Sequence, residues 1–208
     1  ILNKKEDLVI IGAGYIGLEI AAAAVKRNLK VSVIEMENRV MSRSVCSETS
    51  HFFQKKHEEK GIRFYLNVSV TDIEDNNNQK RIICSDGTII NADAVIIGIG
   101  IKPNVELALQ SGLTCNDGIV VDENGKTSDE NIFAAGDCTN HPNNILKRNI
   151  RLESVHNAVE QAKTVAAYIS GNKKPYNQVP WFWSDQYNLK LQIGGVSQDY
   201  DYYVVDGN

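Results

Sequence analysis

No run of about eighteen apolar residues occurs in this 208-residue chain, so no transmembrane helix is expected. The start carries no cleavable signal pattern. It also lacks an initiator Met and opens a few residues ahead of its first apolar run, as a mature or excised fragment would. Positive charge is not in excess: 22 Lys and Arg stand against 26 Asp and Glu, a net charge of −4. That argues against nucleic acid as the main partner. Cys46, Cys84, Cys115 and Cys138 are all far apart, with no CxxC pair and no metal-type spacing. They read as buried thiols of a reducing, cytoplasmic compartment. His51, His57, His141 and His156 form no ligand pattern, so no metal centre is expected. Neither a Ser/His/Asp nor a Cys/His constellation marks nucleophilic catalysis. The remaining composition, 42% apolar and 23% charged, is that of an ordinary globular chain with one large or two modest domains.

The most informative stretch is Asp7 to Glu35. Leu8 to Ile11 is an unbroken apolar run, suited to a parallel strand buried on both faces. Gly12-Ala13-Gly14-Tyr15-Ile16-Gly17 follows at once, then an Ala-rich helical pattern to about Asn28 and a β-branched strand from Lys30 to Glu35. Glycines at the first, third and sixth positions between strand and helix are the dinucleotide-binding signature. Gly12 permits the tight turn, Gly14 lets a pyrophosphate approach the backbone, and Gly17 lets helix and strand pack closely. The helix N-terminus offers amides and a partial positive charge to phosphate. Glu35 stands where a carboxylate holds the adenosine ribose and repels a 2′-phosphate, which favours NADH over NADPH; its other reading is a solvated strand end. Whether the dinucleotide is NAD or FAD does not follow from this unit alone.

Met36 to Ser44 should cross the edge of the ligand crevice, with Arg39 either touching the ligand or solvated. Val45 to Lys60 reads as a helix anchored by Phe52 and Phe53, and Ile62 to Leu66 as a third parallel strand. Alternation at Val68, Val70 and Ile73, an Asn76-Asn77-Asn78 turn, alternation over Arg81 to Cys84 and an Asp86-Gly87 turn predict an antiparallel meander, in the place of a second crossover helix. Ala92 to Gly100 is the last strand, stopped by Pro103. Beyond it come a short helix at Val105–Ser111, a short strand at Ile119–Val121, a buried strand at Asn131–Asp137, a polar basic loop at His141–Asn149 and an amphipathic helix at Ser154–Ile169. Two strands and two helices are too little for an independent core. This segment is therefore expected to complete a sheet supplied by another stretch of chain; without that stretch, apolar surface on residues 105–169 would be covered by another copy or promote self-association.

The sequence IGAGYIGLEIAA at 11–22, VIIGIGIKPN at 95–104, TSDENIFAAGDC at 127–138, RLESVHNAVEQAKTVA at 151–166 and VPWFWSDQY at 179–187 together carry a specific resemblance. The chain resembles the FAD-dependent pyridine nucleotide-disulfide oxidoreductases, in particular the branch of ferredoxin, putidaredoxin and rubredoxin reductases. The fold implied is α/β: a Rossmann-like NADH-binding domain with an inserted antiparallel meander at 1–101, the C-terminal part of an FAD domain at 102–180, and the beginning of a C-terminal α+β domain at 181–208. The function implied is transfer of electrons from NADH through FAD to a small acidic iron–sulfur protein or rubredoxin. The rival readings are a flavin NADH oxidase or peroxidase of the same superfamily and a non-catalytic NADH-binding fragment.

The resemblance also implies roles. Gly12, Gly14, Gly17 and Glu35 match the NADH motif, and Glu19 matches a glutamate that faces the nicotinamide in relatives. Tyr15 and Ile16 would line the nicotinamide side, and Gly100 and Pro103 the gap between the two nucleotides. Asp137 matches the acid on the ribityl hydroxyls of FAD, although a Gly-Asp pair is also a common turn. Val155, His156 and Asn157 would present the first amides of a helix to the flavin, with Glu153 close by; His156 replaces a proline of close relatives. Trp181 and Trp183 match aromatics near the flavin and its docking surface, or form core. Lys147, Arg148 and Arg151 would steer an acidic partner, or are a solvated face.

Overall fold

The structure, a computed structural model, describes residues 6–77, 79–197 and 200–206. It divides into two compact units. The first takes the chain as far as Gly100, together with Ser184–Leu191 and the residues from Ser197 on; the second takes Ile101–Trp183 and Gln192–Val196.

In the first unit the apolar run becomes β1 (Asp7–Ile11), followed by α1 (Tyr15–Val25), β2 (Lys30–Glu35), α2 (Ser47–Glu58) and β3 (Arg63–Leu66). The meander is β4 (Val70–Asn76), β5 (Gln79–Cys84) and β6 (Ile89–Ala92), and β7 (Ala94–Ile97) returns to the first sheet. That sheet is parallel, in the order β3-β2-β1-β7, with Leu8 opposite Val31 on one side and Ala94 on the other. Leu8, Val9 and Ile10 are buried to within 1% of full burial, as a central parallel strand requires. Ile10 lies toward Gly17 on α1. Val9 and Ile34 pack instead with Ile82, Cys84 and Ala92 of the meander. The meander therefore takes the face that a crossover helix would cover. Its Asp86-Gly87 turn is present, with Gly87 at φ +86 and the Asp86 carboxylate accepting from the Thr88 amide and hydroxyl. Asn78, in the other expected turn, lies outside the described residues.

The second unit holds α3 (Glu106–Gln110), β8 (Ile119–Val120), β9 (Thr139–Asn143), β10 (Arg148–Ile150) and α4 (Val155–Ile169). Its sheet runs β10-β9-β8, parallel between β8 and β9 and antiparallel between β9 and β10. A hairpin of β11 (Trp181–Gln186) and β12 (Leu189–Gly194) follows, and the chain passes between the units within it.

Several expectations are corrected here. Residues 131–137 are not a strand: Phe133 makes one isolated bridge to Lys126, and Gly136 turns the chain at φ +89. The strand is the polar Thr139–Asn143, and the expected basic loop is its hairpin with β10. Phe53 is buried but Phe52 is exposed, with Lys56 over its ring, because α2 buries only the Ser50, Phe53, His57 stripe. Of the four thiols only Cys84 is fully buried. On α4 the buried side chains are Asn157 and Gln161, whereas Val155 and Ile169 of the apolar stripe are 63% and 66% exposed.

Candidate functional site

Glycine at 12 and 17 is required by packing. Gly12 has φ +102, and a Cβ on it would lie 2.3 Å from the Gly98 carbonyl oxygen; one on Gly17 would lie 2.1 Å from the Gly12 carbonyl oxygen. Gly14 is different. Its φ of −73 suits any residue, and a Cβ there would meet nothing within 4 Å. Gly14 is thus demanded neither by its backbone angles nor by close packing against the described residues. Gly14 is the N-cap of α1 and its side-chain-free position leaves the first-turn amides open to an anion.

The turn is clamped from both sides. Glu35 Oε2 accepts from the Ala13 amide at 2.7 Å and Oε1 from the Glu37 amide at 3.0 Å. The Met41 amide donates to the Ala13 carbonyl at 2.9 Å. Glu35 is therefore no loosely solvated strand end. The Arg39 guanidinium donates to the carbonyls of Val45 and Ser42, both at 2.8 Å, and braces the loop. Burial pushes the Tyr15 phenol up, against a hydrogen bond with Ser44 that lowers it. Ile16 is exposed beside it. Glu19, one turn further along α1, accepts from Ser184 Oγ at 2.6 Å. Gly100 is exposed at φ +104, and Pro103 is half-buried in the segment without regular structure that precedes α3.

In the second unit, Gln161 Oε1 accepts from the Gly136 amide at 2.7 Å and the Thr139 hydroxyl at 2.9 Å. This ties the Gly136-Asp137 turn to α4. Asp137 is exposed. Partial desolvation, then the Glu153 carboxylate, push its carboxyl above the usual range, while the Ser154 amide and Arg151 pull it down. At the start of α4, Ser154 Oγ accepts from the Asn157 amide at 3.1 Å, so that amide serves the cap and not a ligand. The Asn157 side chain is also engaged, donating to Leu152 O at 3.2 Å and accepting from Tyr176 OH at 3.0 Å. His156 Nδ1 is buried with no hydrogen-bond partner among the described residues. Arg151 is not a free steering charge: it pairs with Asp117 at 3.1 Å and Glu153 at 2.7 Å. Trp181 and Trp183 are both partly exposed, and the Trp181 ring lies over Gly194. Among the described residues no group of His, Cys, Asp or Glu is arranged to hold a metal ion.

Sequence reasoning missed Gln161, Ser184, Gln186 and His57. Ser184 and Gln186 alternate with exposed Trp183 and Asp185, so a polar inward face on a strand was the available signal.

The pyridine nucleotide-disulphide oxidoreductase model matches residues 1–162, and the reductase C-terminal model matches residues 181–208. The chain is 46% identical to rhodocoxin reductase from Rhodococcus erythropolis, over 97% of this chain and 48% of that protein. A crystal structure of a ferredoxin reductase from Rhodopseudomonas palustris superposes with a TM-score of 0.96 at 42% identity, covering 100% of this chain and 52% of that one. The putidaredoxin reductase of a covalent complex with putidaredoxin gives 0.94 at 41% identity, covering 98% and 49%. The chain thus spans about half the length of the curated relatives it matches.

Proposed function

Because the chain belongs to the pyridine nucleotide-disulphide oxidoreductase family, we propose that it serves a flavoprotein reductase that passes electrons from NADH through FAD to a ferredoxin or rubredoxin. The observation that carries this reading is the clamped glycine turn with Glu35 closing it. Gly14, with no Cβ, lets a pyrophosphate approach the backbone, α1 offers amides to it, and the Glu35 carboxylate accepts from ribose hydroxyls while repelling a 2′-phosphate. Tyr15 and Ile16 present surface to the nicotinamide side, and Glu19 orients that end. Hydride transfer needs no acid, base or nucleophile from the protein, which contributes orientation and exclusion of water.

The residues of the second unit fit a flavin. The Asp137 carboxylate suits ribityl hydroxyls; desolvation and then the Glu153 carboxylate raise its affinity for a proton. The Val155 and His156 amides remain at the α4 N-terminus, where the dipole favours negative charge, and the orphaned His156 Nδ1 awaits a partner. Gly100 is assigned to the ligand side of the first unit, and Pro103 and Trp181 to that of the second. FAD, when bound, supplies the two-electron acceptor for NADH and the one-electron donor for the partner. Steering of an acidic partner falls mainly to the Lys147 region, since Arg151 is neutralised by Asp117 and Glu153. The NADH-linked chemistry and four free thiols suit the cytoplasm.

Titration of the purified chain with NADH and NADPH tests the first part. NADH should bind at least about tenfold more tightly, and Glu35→Ser should narrow the difference; equal affinities in the wild type would overturn the reading. Incubation with FAD, desalting and a visible spectrum test the second. A retained flavin band bleached by NADH supports reductase chemistry in this chain, whereas NADH binding without retained flavin supports the NADH-binding fragment.

A further inference from the structure

Ser184 and Gln186 are fully buried although both are polar, and so is His57 on α2. All three lie in the first unit, with α1. They form one file of hydrogen bonds. Ser184 Oγ donates to Glu19 Oε1 at 2.6 Å, and Gln186 Nε2 donates to Ser184 Oγ at 3.1 Å. Gln186 Oε1 lies 2.8 Å from His57 Nε2, and Tyr187 OH lies 3.0 Å from His57 Nδ1.

The direction of the file is fixed from one end. A carboxylate only accepts, so the Ser184 proton must point to Glu19. The serine oxygen then accepts from the Gln186 amide nitrogen, whose second proton faces Met41 Sδ at 3.8 Å. The Gln186 carbonyl is left facing His57, which must carry its proton on Nε2. His57 Nδ1 therefore accepts from the Tyr187 hydroxyl. Burial lowers the basicity of His57, against the Gln186 hydrogen bond that raises it, and so favours the neutral ring of this pattern. The glycine turn and Glu35 need none of these groups. A buried polar file that is satisfied throughout fixes geometry closely, and one broken link leaves a desolvated group unpaired.

We propose that Ser184, Gln186 and His57 are positioning residues that aim the Glu19 carboxylate at the nicotinamide end of a bound dinucleotide, and that ligand contact with Glu19 is felt at His57. The proposal rests on the reading of the first unit as the NADH site. It extends that site through β11 to α2, to residues that touch no ligand themselves.

The test is the ring-nitrogen spectrum of His57 in the 15N-labelled chain, with and without NADH. The wild type should show the Nε2–H tautomer alone, and NADH should shift both ring nitrogens. Ser184→Ala should bind NADH about fivefold more weakly, and its His57 signals should no longer respond to the ligand. A purely structural role for Ser184 would not remove that response. Glu19→Gln, which keeps the shape but can donate as well as accept, should release the direction of the file and let the second tautomer appear; it serves also if Ser184→Ala does not fold. An Nδ1–H or mixed tautomer in the wild type overturns the proposal, as does a His57 response to NADH that survives in Ser184→Ala. If the wild type binds no NADH while His57 keeps one tautomer, the NADH reading falls and takes the positioning role with it, and the Glu19→Gln spectrum still decides the hydrogen-bond file.

Discussion

The two units solve the problem of an interior in opposite ways. In the first, the buried residues are mostly apolar, from Leu8 and Ile10 through Leu18, Val33 and Ile34 to Ile82. In the second, the buried apolar residues among those described are Ala108, Leu113, Val121 and Tyr176, while Thr139, Asn140, His141, Asn143, Asn157 and Gln161 are buried polar. Its larger apolar side chains, Leu107, Val155 and Ile169 among them, face outward. The first unit stands on burial of apolar area, and the second on the hydrogen bonds of Gln161 and Asn157 and a capped helix, while Asn140 Oδ1 and His156 Nδ1 meet no partner among the described residues. Burial tolerates a shifted atom better than a hydrogen-bond network does. The unit with the polar interior is therefore the one more dependent on whatever surrounds it.

Four substitutions or conditions would break or sharpen this contrast. The largest effect is expected for Leu18→Ala, a fully buried side chain on α1, at about 3 kcal/mol of lost stability. Chemical denaturation followed by a first-unit probe would measure it. Acid comes next and acts on the second unit. His141 is buried with its ring edge against Tyr176, and burial lowers its pKa to about 4, against the backbone of Thr139, which raises it. The unfolded chain takes up that proton near pH 6.5, so between the two values the unfolded state binds more protons. Stability should be intact above about pH 6.5 and fall by roughly 2 kcal/mol toward pH 4, after allowance for solvent screening. Denaturation midpoints against pH should show this slope, and His141→Phe, which keeps the ring edge toward Tyr176, should flatten it.

Gln161→Ala should follow, at about 1.5 kcal/mol, because it strands the Gly136 amide and frees the Gly136-Asp137 turn. Faster hydrogen exchange at Gly136, with β1 amides unchanged, is the expected signature. The smallest effect is expected for Val159→Ser, on the outward stripe of α4 at 45% exposure, within about 0.5 kcal/mol. A loss as large as that of Leu18→Ala would show that the stripe is covered in solution and would erase the contrast.

The same contrast explains what could be read from the sequence. The first unit was legible because its signals are local: an unbroken apolar run, three glycines in register, alternation and an Asp-Gly turn. The second misled because composition and burial disagree there. Asn131–Asp137 looks like a strand, yet its amides bond to Gly125 O and to Gln161, and the real strand is the polar Thr139–Asn143, whose side chains turn inward. On α4 the periodicity revealed the helix but not which stripe it buries. In the site, Gly12, Gly14, Gly17 and Glu35 followed from spacing alone. His57 and Gln186 did not, because their contact joins positions 129 residues apart and neither belongs to a local motif.

Glu35 carries one more consequence. Its carboxylate is held by two backbone amides, on Ala13 and Glu37. Freezing a free glutamate costs about 1.5–2 kcal/mol of rotamer entropy, and here that cost falls on folding instead of on association. On the proposed reading of this turn as a dinucleotide site, the held carboxylate is a preorganised acceptor, and encounter rather than rearrangement should limit the rate of capture.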